Sequence, residues 1–383
     1  MPITRRRALV AGLSRTAALL VGAHAVRPAA AAEGSIVVGQ IGPFTGLPVP
    51  DAPELNLGMK AAFAKVNAAG GVGGRRIALF EVDDTYTGDG FVKAFAEAMK
   101  KKPVALLSPV GSVALTRMLD DKLLDRADVV VLNAIPGVES LRNPGHAKLF
   151  HIRAGDRQQI EKIVGLASTL GAARLAVLYQ NIPMGTSGVA MARELAAKAG
   201  GMTVAGFEAS VEPASHAAAA AQVQRADAQA VLVIGSPRFT ADCVAALRMA
   251  GVGQFVFALS YTPAALVRQI AGGGSRGVGI AQAFPNPRGV SLPLQREFHA
   301  AMTAVDPALR TYTSFHLEGY ITARMFAEAA RRARAVDADG VAQALRGMGE
   351  IDFGGFRVDF ANSNVGSRFV DIGVIDADGR LIY

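Results

Sequence analysis

Cysteine occurs once in these 383 residues, at Cys243, so the chain cannot close a disulfide on itself. No cysteine follows the N-terminal segment to take a lipid. Cys243 lies in an apolar helical run with Val244 and Leu247, which reads as a small buried hydrophobe and not as a nucleophile or a metal ligand. Charged residues make up only 19% of the chain and hydrophobic ones 51%, a globular balance that excludes extended disorder. No apolar run approaches the ~20 residues that cross a bilayer. The best candidate, 16–26, is interrupted by His24 and preceded by Arg15.

Catalytic signatures are equally scarce. The six histidines show no metal-ligand spacing, and no Gly-x-Ser-x-Gly elbow occurs. Gly272-Gly-Gly-Ser-Arg-Gly277 has the spacing of a dinucleotide loop. It follows a helical pattern and precedes a strand, the reverse of what a pyrophosphate needs, so it reads as a turn. Asp83-Asp84 and Asp120-Asp121 are adjacent carboxylates whose side chains diverge, and Asp83-Asp84 is expected to order a loop at a cleft rim. No enzymatic function, metal or cofactor is expected.

The formal charge of +8 suggests a polyanion partner until it is located. Residues 1–32 hold Arg5, Arg6, Arg7, Arg15 and Arg27 and no acid, so the remainder carries 35 Lys+Arg (40 − 5) against 32 Asp+Glu, or +3. No nucleic-acid partner is expected. The same 32 residues have the arginine start, weakly apolar middle and Ala30-Ala31-Ala32 cleavage site of an export signal. Their paired arginines resemble the twin-arginine type. The mature chain is expected to be soluble, periplasmic, without a lipid anchor, and monomeric.

From Ser35 onward, β-rich runs alternate with helical patterns, which predicts parallel sheets built from βαβ units. Strands are expected at 35–41, 77–82, 104–107 and 129–132, then at 175–179, 203–207, 230–234, 255–259 and 278–281. Helices are expected at 157–170, 187–199, 215–225 and 238–250, with later ones near 314–334 and 340–346 and closing strands at 356–360 and 369–375. Leu55, Met59, Ala62, Phe63 and Val66 form one apolar helical face, ended by the glycine-rich 67–74. No fixed period repeats and no Pro/Gly/Ser-rich linker separates the halves. Two α/β modules joined by short crossings form a hinge that can close on a ligand.

Ile36-Val-Val-Gly-Gln-Ile-Gly-Pro-Phe-Thr-Gly46, Gly58-Met-Lys-Ala-Ala-Phe63 and Val66-Asn-Ala-Ala-Gly-Gly-Val-Gly-Gly-Arg-Arg-Ile77 occur in that order, followed by Asp83-Asp84. Phe150-His-Ile-Arg153, Leu175-Ala-Val-Leu-Tyr179 and Phe315-His-Leu-Glu-Gly-Tyr320 come later. Together they resemble the type I periplasmic solute-binding proteins of the leucine/isoleucine/valine-binding kind, over essentially the whole chain beyond the signal. The resemblance implies two Rossmann-like lobes with parallel central sheets and a multi-strand hinge. One lobe is expected to take 34–153 with 284–354, the other 154–283 with 355–383. It also implies a small-molecule solute held between the lobes and delivery to an inner-membrane ABC permease and ATPase.

Parallel sheets bind ligands at the carboxyl ends of their strands, where helix N-termini offer free N–H groups. That rule selects Gly111-Ser112, with Ser112 as ligand contact, N-cap or both, and Ile135-Pro136. On the other side it selects Met184, Ser236, Arg238 and Ser260-Tyr261. Phe44, Met184 and Tyr261 are expected to give apolar contact. Arg238 is expected either to pair with a ligand carboxylate or to sit as a solvated helix arginine. Against the family pattern, Pro136 or Gly137 stands where a threonine grips the ligand carboxylate, and Met184 where an aromatic precedes glycine. Ser260 stands where an acid pairs with the ligand's ammonium. Burying an ammonium without an anionic partner costs several kcal/mol. The expected solute is therefore a small carboxylate lacking an α-ammonium, aromatic or branched. The alternatives are a sensor reporting to a membrane receptor and a true branched-chain amino-acid binder.

Overall fold

The computed structural model describes residues 34–46 and 51–383; the expected export signal at 1–32 lies outside them. The chain from Gly34 builds two sheets. The first contains β1 (Ile36–Gly42), β2 (Ile77–Asp83), β3 (Ala105–Leu107), β4 (Val130–Leu132) and β5 (Leu149–Phe150), all parallel, in the order β2-β1-β3-β4-β5. β3 and β4 are wholly buried, as expected of strands covered on both faces. Helices α1 (Asp51–Ala68), α2 (Gly88–Lys100), α3 (Ser112–Asp120) and α4 (Leu123–Arg126) connect them. Gly70 and Gly71 end α1 with φ of 96° and 73°, the left-handed stop that the glycine-rich run predicts.

The second sheet starts after α5 (Asp156–Thr169). Strands β6 (Arg174–Gln180), β7 (Thr203–Ala209), β8 (Ala230–Ile234), β9 (Phe255–Ala258) and β10 (Gly279–Gln282) run parallel in the order β7-β6-β8-β9-β10. Between them lie α6 (Pro183–Lys198), α7 (Pro213–Arg225), α8 (Pro237–Met249) and α9 (Ala264–Ala271). Prolines at the first turns of α6, α7 and α8 set helical φ where no N–H is needed. Gly272–Ser275 is a short turn of tighter helix between α9 and β10, so the glycine run is a turn and not a phosphate loop. The expected pair of parallel sheets is present.

Beyond β10 the chain returns to the first sheet. There α10 (Pro293–Val305) and α11 (Ser314–Arg332) pack on α1, and α12 (Ala338–Gly347) packs on α11 and β4. Helix α9 is the helical pattern expected before Gly272, whereas α10 is given no helical bounds by the sequence reading, although its buried Leu294, Phe298, Ala301 and Met302 fall at helical spacing. The α1–α11 contact is backbone to backbone. A Cβ on Gly58 would lie 2.0 Å from the His316 carbonyl oxygen, and one on Gly319 would lie 2.0 Å from that of Leu55.

The closing segments differ in part from expectation. β11 (Ile351–Asp352) and β12 (Arg357–Val358) form a hairpin of their own, turning at Gly354-Gly355, so 356–360 joins neither large sheet. β13 (Asp371–Ile375) and β14 (Leu381–Ile382) then extend the second sheet antiparallel to β10. Three segments thus run between the sheets, at β5–α5, β10–α10 and β12–β13, and two of them interlock. His151 N–H donates to the Asn364 carbonyl at 2.7 Å, and Gly366 N–H returns to the His151 carbonyl at 2.8 Å. Phe150 meets Phe360 edge-on at 5.3 Å, and Phe284 meets Phe356 at 5.1 Å.

Candidate functional site

Both sheets have the strand order 2-1-3-4-5, so each has a switch point beside its first strand, where flanking connections leave in opposite directions and open a crevice. In the first sheet the crevice lies beyond β1 and β3. Phe44 is half-buried just past β1. Its loop is tied down by Asp83, whose carboxylate accepts the Thr45 N–H at 3.2 Å, the Thr85 N–H at 2.9 Å and the Thr45 hydroxyl. The expected loop-ordering role of this residue is therefore visible. Asp84 accepts the Tyr86 N–H at 2.9 Å, and burial lifts its own carboxyl to about 6.

Beyond β3 the N-cap of α3 is Gly111, at φ 104°, and Ser112 is the first helical residue. The hydroxyl of Ser112 therefore does not cap the helix. It has no hydrogen-bond partner among the described residues. After β4, Ile135 and Pro136 are buried, and they contribute carbonyls: Ile135 accepts Arg153 Nη1 at 3.4 Å and Pro136 accepts Arg142 Nη2 at 3.3 Å.

In the second sheet, Met184 is half-buried in the first turn of α6. Ser236 is the N-cap of α8, yet its hydroxyl makes no cap bond, and its N–H donates to Gln180 Oε1 at 2.9 Å. Arg238 is exposed and donates to Asp242 one turn along its own helix at 2.9 Å, the geometry of a solvated helix arginine. Ser260 and Tyr261 are buried past β9. There Arg153 Nη2 donates to Ser260 Oγ at 2.7 Å, and the Tyr261 hydroxyl donates to Asp156 Oδ1 at 2.6 Å. The Arg153 guanidinium lies 5.0 Å from the Tyr261 ring centre.

These contacts belong to a buried charge cluster between the sheets. Arg153 Nε is 3.6 Å from Glu318 Oε1 on α11, with side chains 2% and 1% exposed. Asn133 Nδ2 donates to the same oxygen at 2.9 Å. Arg142 Nη1 donates to the Arg153 carbonyl at 3.0 Å. Burial raises the carboxyls of Asp51 and Glu318 and lifts that of Asp156 to about 6, although hydrogen bonding from Tyr261 and the nearby arginines pull Asp156 back. Arg153 Nε, Glu318 Oε2 and Asp51 Oδ1 have no hydrogen-bond partner among the described residues, so the cluster combines directed bonds with unpaired buried charge.

A cavity of about 310 Å³ opens beside Ser260. Most of its wall is apolar, including Leu266, Pro287, Tyr312, Phe315 and Leu381, and its size falls at the lower end of small-molecule sites. Two ionisable side chains matter there. Arg288 is half-buried and forms no ion pair among the described residues. Glu54, in the first turn of α1, accepts the Thr313 hydroxyl at 2.7 Å. Burial lifts its carboxyl to about 7.

Of the residues selected from sequence, Ser260 lines this cavity and Tyr261 lies behind it against Asp156. Phe44, Ser112, Met184 and Ser236 sit at strand ends outside its lining, and Arg238 faces solvent. Glu54, Arg288 and Tyr312 were missed. Arg288 and Tyr312 follow the crossing from β10, and Glu54 opens a helix; none follows a strand end, so the rule that found the others passes over them. An arginine in a Pro-Asn-Pro-Arg turn (285–288) was the available signal for Arg288; in the fold it donates to the Leu381 carbonyl and has no carboxylate partner among the described residues.

The model of one family, described as periplasmic binding protein, matches residues 35–380. A crystal structure of an extracellular ligand-binding receptor from Verminephrobacter eiseniae is 51% identical, with 91% of this chain and 100% of that one covered and a TM-score of 0.88. A substrate-binding periplasmic protein from Ralstonia solanacearum is 28% identical over 91% of this chain and 99% of the other, with a TM-score of 0.81. A branched-chain amino acid transporter substrate-binding protein from Streptococcus pneumoniae, crystallised with isoleucine, is 16% identical over 91% and 98%, with a TM-score of 0.76, a likeness of fold. The search of curated proteins returned no match. With its paired switch points and the matched span of 35–380, this chain belongs to the periplasmic binding proteins, a family of binders and not of enzymes.

Proposed function

We propose that this protein is the periplasmic solute-binding component of an ABC importer, and that it captures a small carboxylate with a branched or aromatic body. The observation that carries the ligand class is Arg288, a half-buried arginine on an apolar cavity wall with no carboxylate of its own among the described residues. A guanidinium in that setting pairs well with a ligand carboxylate. The free hydroxyl of Ser112 and the N-terminus of α3 offer further donors at the switch point of the first sheet. On this reading the lobes are 34–153 with 284–354 and 154–283 with 355–383. They close on the solute because it touches both only when shut. Export by the arginine-bearing segment 1–32 delivers the chain to the periplasm as a monomer without a lipid anchor, where the closed form docks on the permease.

Glu54 favours a second reading, a branched-chain amino acid, because a carboxylate on the same wall can take the ammonium that Ser260 cannot. Calorimetry with isocaproate, leucic acid, leucine and phenylpropanoate separates the two. The first reading predicts that isocaproate or phenylpropanoate binds at least as tightly as leucine. It also predicts that Arg288→Met weakens that binding roughly 10-fold or more. Binding of α-amino acids alone would overturn it.

A further inference from the structure

We propose that Glu54 is the specificity-determining residue of this cavity and that it takes a hydrogen-bond donor, O–H or N–H, of the solute. The assignment rests on the solute occupying the cavity beside Ser260, and it deepens that reading by requiring a second polar group on an otherwise apolar ligand body. Three features of the geometry point to it. Glu54 is the one acidic side chain among the described residues lining the cavity. Its Oε2 is held by the Thr313 hydroxyl, and Thr313 is itself fixed as the N-cap of α11, accepting the His316 N–H at 3.3 Å. Its Oε1 has no hydrogen-bond partner among the described residues. The carboxylate is therefore oriented from behind, with one oxygen left to the cavity, the arrangement of a prepared acceptor.

Its electrostatic setting fits the same role. Asp51 lies one turn before it on α1, and Thr313 meets it from the N-terminus of α11. Tyr312, Tyr383, Arg288 and Arg380 border the cavity. None of the arginines counters its burial, which is why its carboxyl titrates near neutrality. A ligand donor supplies the missing partner. A cationic donor also favours the ionised form, so its affinity rises with pH as Glu54 loses its proton, whereas a hydroxyl gives a flatter profile.

The test uses a matched set built on one carbon skeleton: isocaproate, leucic acid, leucine and isoamylamine. Binding is measured by calorimetry on the full chain, the Glu54→Ala variant and the isosteric Glu54→Gln variant, between about pH 6 and pH 8. A donor-bearing member is expected to bind the unaltered protein roughly 10- to 100-fold more tightly than isocaproate, and that preference should vanish in Glu54→Ala. Glu54→Gln keeps an acceptor and the bond from Thr313, so it guards against a simple folding defect. It should retain part of the preference for leucic acid and lose the pH dependence for leucine or isoamylamine. Equal ratios in the unaltered protein and Glu54→Ala, binding of isocaproate alone, or no binding by any member overturns the proposal. If leucine or isoamylamine wins and depends on Glu54, the assignment stands while the reading of a carboxylate without an ammonium fails.

Discussion

Replacing Gly319 by alanine is expected to destabilise the protein by more than about 4 kcal/mol, an effect in the exceptional range for a single methyl group. Added methylenes in a tight core usually cost about 1–3 kcal/mol, because neighbouring side chains shift to make room. Here the new Cβ would stand 2.0 Å from a backbone carbonyl of α1, and a helix backbone cannot turn aside as a side chain can. Gly58 faces the same helix pair from the other side, at 2.0 Å from the His316 carbonyl, so Gly58→Ala should do comparable damage. Gly165, inside α5, is the control: a Cβ there meets nothing within 4 Å. Gly165→Ala should therefore stabilise by about 0.5–1 kcal/mol through helix propensity. Urea unfolding of the three variants checks the contrast. Near-neutral results at Gly319 and Gly58 would mean that α1 and α11 do not pack backbone to backbone.

Arg153→Met is expected to cost about 3–5 kcal/mol and to disable the cleft with it. The guanidinium is 2% exposed and serves the first sheet through Glu318 and the Ile135 carbonyl and the second through Ser260. Removing it strands a buried carboxylate, leaves the Ser260 hydroxyl unsupported and takes the cation from the face of Tyr261. The loss is not the intrinsic worth of the pair, since two buried charges are expensive to desolvate. Adding Glu318→Gln removes the stranded charge and keeps an acceptor for Asn133, so the double variant should recover a large part of the stability. A double variant no more stable than Arg153→Met would show that Glu318 is not the partner that matters.

Much of the architecture can be read from residues alone because it depends on local pattern. Alternation of β-branched runs with amphipathic stretches marks every long strand, and the glycine-rich 67–74 marks the end of α1. The direction of the chain around Gly272–Gly277 is enough to reject a dinucleotide loop. The site is less legible. Strand-end reasoning reaches Ser260, which lines the cavity, and Ser112, which keeps its hydroxyl free, but it also selects Arg238, whose charge is taken by Asp242 four residues along. The i,i+4 spacing of Arg238 to Asp242 on the expected helix 238–250 was the signal for the solvated reading. Glu54 and Arg288 reach the cavity from elements 234 residues apart in sequence, brought together only when the chain returns from β10 to the first sheet. The hinge hydrogen bonds between His151 and the 364–366 segment are of the same kind. Nothing local in either segment announces the other.

The central claim is that a solute bound between the two sheets draws their lobes together. Small-angle X-ray scattering of the protein, alone and then saturated with the tightest-binding member of the isocaproate set, tests it most directly. The account predicts a smaller radius of gyration with solute present, and for an Arg288→Met variant the same decrease only at a roughly 10-fold or higher solute concentration. An unchanged radius of gyration at proven saturation would contradict it.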